Sequence, residues 1–285
     1  YFIDMKYPIK LSEHKIDEYR QRGFCVTPEI LKPSEISQFR TAVDREVADR
    51  TQHDSRPLGK KSVYEQSFVQ CMRLWETSDE VRALSCHHGL AGLASQLLQE
   101  SSVHLWQDQA LYKESGGRET TPHQDQPFWP IGAAPLVSAW IPLTDVTVKS
   151  GAMAYVPTSH KLGSLRVVDI THKSEPYDIL ADPLVSGIQP ESVEVKAGSI
   201  IWHDGFTIHQ AHANQSSRTR KVFTVVYLAS GYPRVKSWPV FPLDRAGVEV
   251  GEVMQGEGLP VVWPPPAQLP RPPEVKGQVL GPQHG

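Results

Sequence analysis

Val103-His-Leu-Trp-Gln-Asp-Gln-Ala-Leu-Tyr-Lys113 marks a change of texture in this chain. From here onward the residues fall into short runs rich in β-branched and aromatic side chains, separated by clusters of Gly, Pro, Asp and Ser. Such runs suit a pleated, half-buried surface, and the residues between them supply turns. The expected strands are 103–113, 136–143, 152–157, 192–196, 199–203 and 221–228. Most have no helical period between them, which argues for a sandwich or jelly roll and against a parallel α/β sheet. The expected fold is therefore mainly β with added helices, a sandwich or jelly roll preceded by an α-helical N-terminal region.

Upstream of Val103 the pattern is helical. Ser12 is the expected N-cap of a helix carrying Ile16 and Tyr19 and ending near Gly23. Pro33 and Ser34 open a second, in which Ile36, Phe39, Val43 and Val47 recur at spacings of three and four and form a stripe that lies on a core. Residues 51–62 read as a loop, and a third helical stretch carries Val81, Leu84, Leu90, Leu93 and Leu97, interrupted at Gly89. Within the β region, 162–190 is a long polar connection, either a lid or mobile surface. From Leu259 onward Pro260, Pro264, Pro265, Pro266, Pro270, Pro272 and Pro273 imply extended surface chain or disorder. The expected organisation is one domain over 1–258, with a helical region at 11–100, a jelly-roll core at 101–230 and a C-terminal extension at 231–258, then a Pro-rich tail at 259–285.

Bulk properties narrow the function classes. With 39% hydrophobic and 21% charged residues the chain has the composition of a globular protein, and a net charge of −3 gives no footprint for nucleic acid. No run of about 18 apolar residues occurs, so no membrane partner is expected. Asp4 and Lys6 break up any apolar segment near the start, and Cys25, Cys71 and Cys86 are odd in number without CxxC spacing. These features suggest reduced thiols and a cytoplasmic location.

The sharpest local feature is His123-Gln124-Asp125, after Thr120-Thr121-Pro122. In an extended segment residues i and i+2 share a face, so this imidazole and this carboxylate can share a metal ion. A later segment, Gly198-Ser-Ile-Ile-Trp-His203-Asp-Gly-Phe-Thr-Ile-His209-Gln-Ala-His212, offers three candidates for a third ligand, and the strand after Arg218 and Arg220 follows it. Two histidines and one carboxylate on one octahedral face leave three positions open, enough for a bidentate 2-oxo acid and O₂; this is the facial triad of non-haem iron(II) oxygenases. His203, beside Trp202, reads as a core histidine or one that supports a ligand. The pair His87-His88 reads as surface.

Over about 107–227 the chain resembles the phytanoyl-CoA dioxygenase family of Fe(II)/2-oxoglutarate-dependent oxygenases. The resemblance lies in Lys113, His123-Gln-Asp125, Ser138-Ala-Trp-Ile-Pro-Leu-Thr-Asp145, Ser150-Gly-Ala-Met-Ala-Tyr-Val-Pro-Thr-Ser-His160, Gly198-Ser-Ile-Ile-Trp-His203, and His209 with Asn214 and Arg220. In that family the distal histidine precedes the Asn by five positions and the 2-oxoglutarate arginine by eleven, which selects His209, Asn214 and Arg220 over His212 and Arg218. The resemblance implies a double-stranded β-helix (jelly roll, cupin-like barrel), metal ligands His123, Asp125 and His209, and cosubstrate contacts at Arg220, Gln109, Gln124 and Trp140. A guanidinium suits the last role because its planar fork binds a carboxylate in bidentate fashion. Arg220 also shares the face of Val222, Thr224 and Val226 on an expected strand. Phe128 and Trp129, just after the Asp, are expected to wall the substrate pocket.

The implied activity is Fe(II)- and 2-oxoglutarate-dependent hydroxylation of an aliphatic C–H of a small-molecule metabolite, with O₂ as cosubstrate and succinate and CO₂ released. Two alternatives stand beside it: a cupin-like metalloenzyme using another divalent metal, and a non-catalytic module that binds metal or 2-oxoglutarate.

Overall fold

A computed structural model describes residues 9–274; the end of the Pro-rich tail, 275–285, lies outside the described residues. The order is α1 (Glu13–Arg22), β1 (Phe24–Thr27), α2 (Pro33–Thr51), α3 (Val63–Ser67), β2 (Val69–Met72), α4 (Asp79–Ser85), α5 (His88–Leu98), β3 (Val103–Lys113) and β4 (Thr120–His123). There follow β5 (Leu136–Pro142), β6 (Met153–Tyr155), β7 (Glu191–Val193), β8 (Ile200–Asp204), β9 (His209–Ala211), β10 (Arg220–Ala229), α6 (Phe241–Arg245) and β11 (Val261–Trp263). The strands form two antiparallel sheets: a larger one in the order β1-β8-β5-β10-β3-β11, with β2 also paired to β3, and a smaller one in the order β4-β9-β6-β7. This is the expected mainly β fold with helices at its N-terminal end.

Strand parity divides the larger sheet into two faces. On the outer face Ala110, Val137, Ala139, Ile141, Trp202, Phe223, Val225 and Tyr227 join Phe39, Val43, Leu84, Leu90 and Leu93 of the helices in one buried cluster. On the inner face Trp140, Ile201 and Val222 meet Met153, Tyr155 and Ala211 of the smaller sheet. Because helices cover one face and a second sheet the other, β10 is buried along nearly its whole length.

The helices begin and end largely where the sequence indicates. The Ser12 hydroxyl accepts from the Lys15 amide, and α1 stops at Gly23, which is left-handed (φ 83°). The third helical stretch breaks at Cys86–His87 and not at Gly89, which lies inside α5. His87 is also not a surface residue: it is 4% exposed and caps α5 by accepting from the Leu90 amide. The described part of the tail is extended chain that docks on the core, since β11 pairs with Val103 and His104 of β3.

The 162–190 connection is a folded wall with its own apolar cluster, in which Val168, Ile179 and Val185 pack against Val156 and Ile208.

Candidate metal centre

The smaller sheet sets two histidines side by side. β4 pairs with β9 so that His123 stands directly opposite His209, and their ring centroids are 4.5 Å apart. Each ring is fixed by the backbone two residues before it: His123 Nδ1 lies 2.7 Å from the Thr121 carbonyl and His209 Nδ1 2.9 Å from that of Thr207. A carbonyl only accepts, so both Nδ1 atoms carry the proton and both Nε2 lone pairs point at the centre.

Asp125 arrives by a turn. The strand ends at His123, and Asp125 has helical backbone angles (φ −77°, ψ −49°) at the start of the short 3₁₀ turn 126–128. The shared face expected from an extended segment is therefore not what aligns it. The Gln126 amide donates to the Gly205 carbonyl at 2.9 Å, and a Cβ on Gly205 would lie 2.3 Å from Gln126 Oε1, so glycine is what lets this turn close against the β8–β9 connection. Asp125 Oδ1 then sits 3.5 Å from His123 Nε2 and 3.6 Å from His209 Nε2.

Among the described residues His123, Asp125 and His209 form the one group of three such side chains arranged to hold a metal ion, with ligand atoms within 4.8 Å of one another. At His209 and Asp125 the protonation states suit it. Burial pushes the His209 imidazolium down to about 3, so the ring is neutral. Burial acts against the charge on Asp125, but the surrounding imidazoles, His209 foremost, hold its carboxyl well below the ordinary range. Neutral imidazoles and an ionised carboxylate are the forms that bind a divalent cation.

The centre opens on a cavity of ≈ 100 Å³ whose lining includes Gln109, Thr120, Trp140, Arg220 and Thr224. Arg220 is 3% exposed; it donates from Nη1 to the Gly151 carbonyl (2.8 Å) and lies 5.5 Å from the Trp140 ring centroid. Burial lowers its pKa only to about 10, so it stays charged. No carboxylate among the described residues pairs with it, and both its Nε and the Thr224 hydroxyl are buried without a partner. Buried polar groups left unspent at a cavity wall point to a ligand that satisfies them. Here the fit is to an anion with carboxylate geometry.

A second buried basic residue escaped the sequence reading of roles. Lys113 is registered opposite Arg220 and wholly buried; its Nζ donates to the Arg118 carbonyl and lies 3.4 Å from the Thr120 hydroxyl. Burial and then Arg220 push its pKa down to about 6. The available signal was parity, since Lys113 shares the inward face of Gln107, Gln109 and Leu111.

The other predicted residues divide. Gln109 and Trp140 line the cavity. Gln124 does not: its amide nitrogen donates to the carbonyls of Gly163 (2.8 Å) and Phe206 (2.6 Å), and its oxygen accepts from the Leu165 amide (2.8 Å). Phe128 and Trp129 line an adjoining cavity that shares Asp125, Gln109, Gln70, Tyr64 and Ile170 with the first. Arg218 is exposed, and His212 turns away to Ser192 (2.7 Å). Asn214 clamps the approach to Arg220, donating to the carbonyls of Lys113 (2.9 Å) and Arg218 (2.7 Å).

A family model described as Phytanoyl-CoA dioxygenase (PhyH) matches residues 19–222. A curated Arabidopsis thaliana protein named Phytanoyl-CoA dioxygenase is 33% identical over 138 residues, 47% of this chain and 47% of its own length. The chain thus spans about half the length of the curated relatives it matches. Among solved structures, the non-heme alpha ketoglutarate dependent carbocyclase SnoK from nogalamycin biosynthesis superposes with a TM-score of 0.70 at 25% identity, over 90% of this chain and 99% of that one. The epimerase SnoN, solved with Fe3+, alpha ketoglutarate and nogalamycin RO, gives 0.71 at 22% identity over 88% and 98%, and shows likeness of fold.

Proposed function

The chain belongs to the phytanoyl-CoA dioxygenase family, and from that premise we propose that it is an Fe(II)- and 2-oxoglutarate-dependent oxygenase that hydroxylates an aliphatic C–H of a small molecule. The observation that carries the reading is the pairing, across one cavity, of the His123/Asp125/His209 centre with a buried arginine that has no carboxylate partner. Another divalent metal fits the three ligands, but a hydrolytic centre would have no use for a buried Arg220 at the far wall.

His123, Asp125 and His209 would hold the iron and leave positions open to 2-oxoglutarate and O₂. When bound, iron with 2-oxoglutarate supplies the oxidising chemistry, releasing succinate and CO₂. Arg220 anchors the carboxylate remote from the metal, with Lys113 behind it and Trp140 beneath the guanidinium. The Thr224 hydroxyl and the free Arg220 Nε give that carboxylate partners. Gln109 is held by an amide chain, in which the Tyr64 hydroxyl donates to Gln70 (2.8 Å) and Gln70 donates to Gln109 (2.7 Å). That chain leaves the Gln109 amide nitrogen free to donate into the cavity.

Phe128, Trp129 and Ile170 wall the adjoining cavity beside Asp125, which in this reading receives the substrate. No helix among the described residues is long and apolar enough to cross a membrane. The buried, unpaired cysteines support a reducing, cytoplasmic setting.

The test is anaerobic addition of Fe(II) and 2-oxoglutarate to the purified protein. A weak visible charge-transfer band is expected, followed on admission of O₂ by succinate release, which a metabolite library then accelerates. Protein that binds iron but never develops the band speaks against chelated 2-oxoglutarate.

A further inference from the structure

A third imidazole stands at the centre and is not in the ligand set. His203 is on β8, 2% exposed and registered between Phe24 of β1 and Ser138 of β5. Its ring centroid is 4.7 Å from that of His209. Its Nε2 lies 3.4 Å from Asp125 Oδ2, and its Nδ1 lies 3.4 Å from the hydroxyl of Tyr155, a wholly buried residue.

The partners of the two ring nitrogens distinguish His203 from His123 and His209. In those two, Nδ1 faces a backbone carbonyl, which fixes the proton there and frees Nε2. In His203, Nδ1 faces a hydroxyl that can donate, and Nε2 faces a carboxylate oxygen that can only accept. The proton of a neutral ring therefore belongs on Nε2, which makes this imidazole a donor to Asp125 and unfit to bind a metal through that nitrogen.

The two oxygens of Asp125 are thereby separated by task. Oδ1 faces His123 and His209, while Oδ2 faces His203. We propose that Tyr155 and His203 form a hydrogen-bond relay that holds Asp125 as a one-oxygen ligand, with His203 as a positioning residue for the reaction. The proposal rests on the iron and 2-oxoglutarate reading and adds a requirement to it. Six-coordinate iron with three protein donors has three positions left, and 2-oxoglutarate with O₂ needs all three. A carboxylate with both oxygens free can chelate the metal and take a fourth position, which blocks one of the two cosubstrates. A hydrogen bond on Oδ2 opposes that swing.

The test uses His203→Leu, His203→Gln and Tyr155→Phe in the full chain, with anaerobic Fe(II) titration, the charge-transfer band and 2-oxoglutarate affinity as readouts. Gln keeps an N–H near the position of Nε2; Leu has none; Phe removes only the hydroxyl that sets the tautomer. His203→Leu should still bind iron but take up 2-oxoglutarate at least tenfold more weakly, with a diminished or displaced band, within the about 10–100-fold range of residues that orient metal ligands. His203→Gln should recover most of the loss, and Tyr155→Phe should fall between.

Wild-type band and affinity in His203→Leu at equal iron occupancy overturn the relay. So does iron loss as complete as in His123→Ala, which would make His203 a ligand. If His203→Leu does not fold, Tyr155→Phe decides, and wild-type behaviour there overturns the proposal. A wild-type protein that binds iron and gives no band removes the reading beneath the relay, an outcome distinct from these.

Discussion

The side chain of Gln124 donates to the carbonyl of Gly163 at 2.8 Å, so the residue between two candidate metal ligands is also the pin of the 162–190 segment. The same amide accepts from Leu165 and donates to Phe206, which ties segment, metal loop and the β8–β9 connection together. A second tie joins the Thr121 hydroxyl to His172 Nε2 at 2.8 Å. Ile170, between them in sequence, lines both cavities. Gln124→Leu removes three bonds of about 1 kcal/mol each, for a total of roughly 3 kcal/mol. Hydrogen exchange over residues 163–172 should rise selectively while iron affinity changes little. Unchanged protection there would mean that the apolar cluster alone holds the segment.

The Lys113–Arg220 pair is expected to make 2-oxoglutarate binding depend on pH. Lys113 has a folded-state pKa of about 6, whereas in an unfolded chain it stays charged up to about pH 10. Between those values the unfolded state holds the extra proton, so this group makes stability rise as pH increases from about 6, and its penalty is full below that pH. A bound dicarboxylate acts in the opposite direction, favouring protonated Lys113. Calorimetric titration of 2-oxoglutarate at pH 7.5 in two buffers of different ionisation enthalpy should show net proton uptake, and affinity should fall as pH rises further. Lys113→Met should abolish the uptake; persistence in that variant would assign the proton elsewhere.

The sequence was legible in β3, β5, β6, β7, β8 and β10, each of which overlaps an expected strand, and opaque in β1, β2, β4, β9 and β11. β3, β5 and β10 each span at least seven residues, and packing on both faces leaves an unmistakable apolar record. β1, β2, β4, β9 and β11 have three or four residues each, and their pairing partners are far away in sequence. β4 is the instructive miss. Pro122 cannot donate to a ladder and argues against a strand, but β4 is an edge of the smaller sheet, where proline is tolerated. The family resemblance selected His123, Asp125, His209 and Arg220 as site candidates, and the structure brings them to one cavity, but the sequence did not show that a turn delivers Asp125 or that Gln124 faces away from that cavity. Those depend on Gly205 and on the 162–190 segment, which approach from elsewhere in the chain.

His209 and His212 are separated by strand parity. His209 and Ala211 face the cavity, whereas His212 lies on the other face and bonds to Ser192. His209→Ala leaves two protein ligands and should weaken Fe(II) binding severely and stop 2-oxoglutarate turnover. His212→Ala should keep its metal and its charge-transfer band. Metal analysis after anaerobic reconstitution tests this directly, and the reverse pattern would mean that the distal ligand is misassigned.

Arg220 and Arg218 are only two residues apart and were rivals on sequence parity, but their surroundings differ. Arg220 is buried against Trp140 with one N–H unspent at the cavity wall. Arg218 is exposed, and its carbonyl is tied by Asn214, which fixes the loop and leaves the side chain outside. Arg220→Lys keeps the charge and loses the planar fork, so it should forfeit one good charge-assisted hydrogen bond of roughly 1.5–3 kcal/mol, or about ten- to a hundredfold in affinity for 2-oxoglutarate. A lysine there would also stand beside Lys113, and two ammonium groups in one buried site favour deprotonation of one of them. The deficit should therefore deepen as pH rises. Fe(II) affinity should hardly move, because no ligand is altered. Arg218→Lys should behave as wild type in both titrations, and a larger penalty at Arg218 than at Arg220 would assign the cosubstrate to the solvent side of the Asn214 clamp.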